Sequence, residues 1–398
     1  GSTGVGGSGG RVVTASGGSG NPVGPDAGAA DRICQQAELD WVPKIPTVYL
    51  LVDRSGSMFD CSSTTNAVEP SCPTPSDTPW TKLKDATLAV VNSLQTEVRF
   101  GFASFTGTNP ASGGTCPIID KVAPSLGNGA AIATLYNGLA FQPNTTEQGK
   151  KFETPARQAL DMIGAALLAD TAPGEKYILF VTDGQPDYCD DANSLCAPDS
   201  VIGGLQALKA KGVTTIVIGL QSAINDLPPG ILQAFANAGA GEPTLAPLRA
   251  GADTFAFFDQ CNSIAGWHAD LVTSAKPQVR GTTLGMYDTT AGPTKPYTPD
   301  ASNQTMLMNQ LSQALSGVKS CTFDLGDING KSIKVDLTQL DQASITVMGT
   351  ALPRSDTNGW RMNSATQLEL TGGACATWRM PNTTTIRFGF PCEIIIIE

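Results

Sequence analysis

The sequence predicts an α/β protein, a doubly wound and mostly parallel sheet, followed by a small all-β domain. Three observations predict it. Two apolar runs, Thr47 to Val52 and Lys176 to Val181, each lead to an aspartate and a glycine-bearing turn, the pattern of strands buried on both faces at the centre of a parallel sheet. Amphipathic helical stretches alternate with apolar runs as far as about residue 320. After Cys321 the chain changes to short alternating runs separated by Asn, Asp and Gly, as an antiparallel module would require.

Residues 1–31 are dominated by Gly, Ser, Ala and Pro and read as a linker or arm. GVGGSGG is not a phosphate loop, because no strand precedes it and no helix follows. Residues 32–320 form the predicted α/β domain. After the first strand comes an insertion with Cys61 and Cys72, then a helix over Trp80 to Val98 and a strand over residues 99–106. Residues 107–153 are loop-rich, with an edge strand at Ile118 to Val122 and a helical piece at Ile132 to Leu139. Thr154 suits a helix N-cap and Pro155 the first helical position. The strand to Asp183 is followed by a loop with Cys189 and Cys196, a helix at Ser200 to Lys211, a strand at Thr214 to Leu220 and a helix at Gly230 to Ala238. An insertion at about 244–296 carries Cys261, Trp267 and His268, and a helix at Gln304 to Val318 closes the domain. In the all-β domain, residues 321–398, strands are expected at CTFDLG, SIKVDL, SITVMGTALP, QLELTG, TWRM and TTIRFGF.

The chemistry gathers where these strands end. Open α/β sheets place ligands in the crevice beyond the carboxyl ends of their strands. Asp53, Ser55 and Ser57 are delivered there on one loop, a carboxylate and two hydroxyls spaced two residues apart. Hard oxygen donors of this kind suit Mg²⁺, Ca²⁺ or Mn²⁺ rather than zinc. Taken alone, D-x-S-x-S equally fits an Asx/Ser turn leaving a strand. Thr182-Asp183-Gly184 brings a second carboxylate to the same edge, and Thr154-Pro155 opens a helix between the two strands.

At these residues the sequence resembles the von Willebrand factor A family, whose metal-ion-dependent adhesion site is built from those three loops. The resemblance implies that Asp53, Ser55, Ser57, Thr154 and Asp183 surround one divalent cation, directly or through water, with Mg²⁺ expected ahead of Ca²⁺ or Mn²⁺. One departure from the family pattern is that Thr154 follows Gln148 to Glu153 instead of a tight glycine turn.

A chain of 398 residues that is 41% hydrophobic holds two or three domains with a proper core. A net charge of −11 argues against nucleic acid or an anionic membrane surface as partner, since both reward basic clusters. No apolar segment reaches the ~18 to 20 residues of a membrane span, and lipid anchoring would require a residue preceding Gly1. Ten cysteines with a single histidine read as disulfides, hence an extracellular or cell-surface protein, and the family resemblance implies a surface of bacterial type. Cys61 with Cys72 and Cys189 with Cys196 close short loops. By pole, Cys34 suits Cys261, and Cys392 suits Cys321 or Cys375. Five cysteines at each pole is an odd count, so either one bridge spans the poles or Cys116 and one distal cysteine are free or intermolecular.

Two protein carboxylates leave a divalent ion unsatisfied, so a carboxylate from a protein partner would complete its shell. The expected function is therefore cation-dependent protein binding or adhesion. The alternative is a structural subunit of a surface fibre or envelope, self-assembling through the N-terminal arm and the C-terminal isoleucine strand while the ion stabilises loops. No enzyme motif (H-E-x-x-H, G-x-S-x-G or a P-loop) is present, and no catalytic activity is expected.

Overall fold

The computed structural model describes residues 41–43, 45–62, 71–74, 77–108, 114–139, 153–184, 186, 197–221, 230–244, 294–325, 333–380, 386–390 and 394–397. The expected arm, the Cys189/Cys196 loop and most of the 244–296 insertion, with His268, lie outside the described residues. The chain divides into two units, residues 47–314 and residues 1–46 with 315–398.

In the first unit, β2 (Thr47–Asp53) is buried along its whole length. It lies between β3 (Arg99–Thr106) and β5 (Lys176–Thr182), parallel to both. Beyond β3 lies β4 (Ile118–Ser125), antiparallel, and beyond β5 lies β6 (Val213–Gly219), parallel, giving the order β4-β3-β2-β5-β6. Tyr297 and Asp300 extend this edge in parallel beside Ile218 and Gln221. The order reverses direction between β2 and β5, so the crevice at their carboxyl ends is the topological switch point. This is the doubly wound, mostly parallel sheet expected.

Alternate strand residues face opposite layers. Tyr49, Leu51, Ala103, Phe105, Ile178 and Phe180 pack against α3 (Ala156–Ala169), α4 (Ala197–Ala210) and α5 (Ile231–Ala240). Phe102 faces the other way and stacks 4.5 Å from Tyr136 of α2 (Gly129–Gly138), which meets Trp80 of α1 (Pro79–Leu94) edge-on at 4.7 Å. Thr78 caps α1 by accepting the Thr81 amide. The helix stops at Leu94 rather than Val98, and the Gln95 carbonyl just past its end accepts the Gly127 amide. The helix expected from Thr154 begins two residues later at Ala156, with Pro155 as N-cap and no side chain capping it. Asn303 caps α6 (Gln304–Ser316) by accepting from the Met306 amide.

The second unit is built from three small antiparallel sheets. The largest has the order β1-β7-β12-β11, from Trp41–Pro43, Thr322–Leu325, Gln367–Thr371 and Gly359–Ser364. The others are β10-β9-β13 (Thr350–Leu352, Ser344–Val347, Ile386–Gly389) and β14-β8 (Ile395–Ile397, Ile333–Val335). Phe323, Ile345, Trp360, Leu368, Trp378 and Ile394 belong to its core.

The sequence places residues 32–46 in the α/β domain, but Trp41–Pro43 pairs with Leu325–Phe323 and belongs with the C-terminal strands. TWRM is not a strand: α7 (Gly372–Arg379) forms instead. The helix places Cys375 and Trp378, three residues apart, on one face, where Cys375 bonds to Cys321 and the Trp378 indole donates to the Ser320 carbonyl at 2.9 Å. That bridge displaces both pairings suggested for Cys392. The Cys61–Cys72 bridge forms as expected, and Cys116 is disulfide-bonded rather than free. The C-terminal isoleucine strand is used within the chain, against β8.

The β9–β10 hairpin turns on Met348 and Gly349, with φ of 50° and 79°. Positive φ at both residues is the twist-matched two-residue turn, which favours Asn-Gly. Met348 gains nothing from packing, being 54% exposed. Met348→Asn is therefore expected to stabilise the second unit by about 0.5 to 1 kcal/mol, read from its denaturant midpoint.

Candidate metal centre

Asp53 is the last residue of β2 and has no exposed surface. Its position follows from β2 itself: an apolar strand held on both sides carries its terminal carboxylate into the sheet whether or not water can reach it. The next residues turn at once into a short 3-10 helix, Gly56–Phe59, which buries Met58 and Phe59 beneath it. That anchors a loop whose upper residue, Ser57, stays exposed. Asp183 follows β5 directly and is 3% exposed.

Hydrogen bonds join these loops. The Ser55 amide donates to Asp53 Oδ1 at 2.8 Å. Ser55 Oγ and Ser57 Oγ lie 3.2 Å apart, and Ser57 Oγ donates to Asp183 Oδ1 at 2.9 Å. Thr182 Oγ1 donates to Asp53 Oδ2 at 2.7 Å. Four of the five expected residues thus meet through direct bonds across two strand ends. Thr154 is 7% exposed and is brought to the same edge by the backbone, where Gly107, just past β3, bridges Glu153.

Burial pushes both carboxylates up. Asp53 rises to about 6, although the Thr182 and Ser55 hydrogen bonds favour its ionised form. Asp183 is raised well above the ordinary carboxylate range by burial and by repulsion from Asp53 and Asp60. Neither carboxylate has an ion-pair partner among the described residues. Two repelling buried carboxylates, ringed by neutral hydroxyls and open to solvent at Ser57, have the charge deficit and the hard donors that a divalent cation supplies and takes. No group of three or more His, Cys, Asp or Glu that could hold a metal occurs among the described residues.

Three neighbours were not singled out from sequence. Thr182 was visible in the T-D-G motif but given no role. Asp60 adds its negative charge near Asp183. Arg54 forms an ion pair with Asp120 of β4 at 2.9 Å, which no local pattern signals because the partners are 66 residues apart.

No family model and no curated protein matches the chain. Among solved structures it is similar to the pilus adhesin SpaC from Lactobacillus rhamnosus GG, at 15% identity over 83% of this chain and 38% of the adhesin, with a TM-score of 0.38. It is similar to the PilB minor pilin from Streptococcus sanguinis at 12% identity, over 68% of this chain and 60% of the pilin, with a TM-score of 0.35. The proximal thread matrix protein 1 of the mussel byssus, with a zinc-occupied MIDAS motif, matches at 14% identity over 51% of this chain and 43% of that one, with a TM-score of 0.31. Scores this low mark a distant likeness only, and the chain spans little more than a third of the adhesin's length.

Proposed function

We propose that this is an extracellular, divalent-cation-dependent protein-binding or adhesion protein with a metal-ion-dependent adhesion site of the von Willebrand factor A type. The observation that carries the reading is the convergence of Asp53 and Asp183 at the sheet's switch point, joined through Ser55 and Ser57. Asp53, Ser55, Ser57, Thr154 and Asp183 would hold the ion, Mg²⁺ ahead of Ca²⁺ or Mn²⁺. Bound there, the cation supplies a positive centre for a carboxylate of a protein partner. The chain's own residues do the rest: Asp53 and Asp183 set the charge, the serine hydroxyls keep the donor set neutral otherwise, and Met58 and Phe59 hold the loop down.

Among the described residues, the ionisable groups hydrogen-bonded into the site are the two carboxylates assigned to the cation, and the proposal includes no catalytic step. Disulfides such as Cys61–Cys72 and Cys321–Cys375 suit an oxidising, extracellular setting. No helix among the described residues is long and apolar enough to cross a membrane.

The test has two stages. Full-length protein is expected to bind Mn²⁺, displaced by Mg²⁺, and Asp53→Ala to lose that binding. Retention of the protein on surfaces coated with extracellular proteins is then expected in Mg²⁺ and absent in EDTA. Retention that survives both EDTA and Asp53→Ala excludes cation-dependent binding.

A further inference from the structure

Asp53 sits in the cation-binding position by virtue of its strand, but a strand end does not choose a carboxylate rotamer. Two contacts choose it here. The Ser55 amide engages Oδ1 at 2.8 Å and the Thr182 hydroxyl engages Oδ2 at 2.7 Å. The first is a local turn bond that any residue except proline at position 55 would supply from its backbone. The second crosses 129 residues of sequence, from one central strand to the other, and depends on a side chain.

Thr182 is itself well fixed. It is 1% exposed, pairs with Gly219 of β6 in the parallel ladder, and accepts the Leu220 amide on its carbonyl at 2.9 Å. Its hydroxyl carries one proton. The 2.7 Å contact to Asp53 Oδ2 takes that proton in preference to the 3.2 Å contact to the Gly184 carbonyl. The Gly184 amide points back at the same oxygen from 3.4 Å. A donor–acceptor relay results, from the backbone just past Asp183 through Thr182 to Asp53. The two carboxylates are thereby held by one short segment, Thr182 to Gly184.

We propose that Thr182 is a positioning residue of the cation site: its hydroxyl locks Asp53 in the orientation that presents the carboxylate to the ion and couples it to the loop carrying Asp183. The inference rests on the cation reading above. Groups that orient metal ligands without touching the metal change affinity by about 10- to 100-fold when removed, and Thr182 stands in that relation to Asp53. β-Branching contributes as well, since Thr has fewer accessible χ1 rotamers than Ser.

The experiment measures Mn²⁺ affinity of the full chain by the paramagnetic signal of free Mn²⁺, together with the thermal midpoint in EDTA. Thr182→Val, which keeps shape and removes the hydroxyl, is expected to weaken Mn²⁺ about tenfold or more while the EDTA midpoint stays near wild type. Thr182→Ser restores the hydroxyl and is expected to return affinity to within about threefold of wild type. Equal Mn²⁺ affinity in wild type and Thr182→Val overturns the proposal. So does a loss shared by Thr182→Ser and Thr182→Val that follows their EDTA midpoints, since the hydroxyl would then matter only through stability. If Thr182→Val does not fold, Thr182→Ala against Thr182→Ser makes the same comparison. Mn²⁺ binding by wild type that Asp53→Ala leaves unchanged instead overturns the cation reading itself, and this proposal with it.

Discussion

In EDTA, the α/β domain is expected to be more stable near about pH 4.5 than near about pH 7.5, and millimolar Mg²⁺ is expected to reverse that order. Asp53 titrates at about 6 in the folded chain against 3.8 as a free carboxylate, and Asp183 shifts in the same direction. A carboxyl group raised on folding binds its proton more tightly in the native state. Its stabilising contribution is therefore complete below 3.8 and is lost as pH rises through about 6. For Asp53 alone the loss between about pH 4.5 and about pH 7.5 is on the order of 2 kcal/mol, which in a domain of this size corresponds to roughly 4 to 8 °C. A cation binds the ionised pair, so its stabilisation appears over the same interval in which the metal-free protein weakens. Asp183→Asn separates the two effects. It removes the repulsion and lets the amide oxygen still accept from Ser57, so the metal-free midpoint at neutral pH should rise while the response to Mg²⁺ disappears. Thermal melts of wild type and variant at both pH values, with and without Mg²⁺, decide it. A flat metal-free profile with no gain in Asp183→Asn means that the buried pair is not under electrostatic strain.

A site of the proposed kind would exchange stability for binding, and carboxylates at buried strand ends are legible in a sequence. Apolar runs that stop at Asp53 and Asp183 are explained by strand burial up to the last residue, and it is two such carboxylates at one sheet edge, rather than either alone, that point to a ligand. Period and burial also fixed β2, β3, β5 and β6, because strands covered on both faces need continuous apolar sequence. Long-range partners were not legible. β1 is three residues long, and nothing in Trp41–Pro43 announces pairing with Leu325–Phe323 across the whole α/β domain. TWRM has strand-like residues, yet the Cys321–Cys375 bond and Trp378 against Phe323 at 5.5 Å select a helix, so tertiary packing overrode propensity. Thr182 falls between these cases: its position was read correctly as a strand end, but the hydroxyl's direction depends on which strand lies next door.

Trp80→Ala is expected to lower the stability of the α/β domain by about 3 to 5 kcal/mol, the cost of deleting a large buried aromatic, and to weaken cation binding although Trp80 touches no proposed ligand. The indole is 2% exposed and fills the space under the D-x-S-x-S loop. It packs 5.3 Å from Phe59 and 4.7 Å from Tyr136, and its Nε1 donates to the Leu139 carbonyl at 3.2 Å. Phe59 and Met58 are the apolar residues that fasten the 3-10 helix on which Ser57 sits. Removing the indole takes away a ring that Phe59 packs against, and the loop gains freedom where Ser55 and Ser57 must hold their hydroxyls 3.2 Å apart. Trp80→Phe retains most of the volume but not the donor, and should lose less of both quantities. Urea unfolding followed by far-UV circular dichroism gives the stability change, and Mn²⁺ titration at low temperature, where the variant is still folded, gives the affinity. A variant that loses the expected stability but binds Mn²⁺ as wild type does would show that the serine loop is ordered without the Trp80–Phe59–Tyr136 cluster. Affinity that falls from wild type through Trp80→Phe to Trp80→Ala ties the cation site to the aromatic packing beneath it.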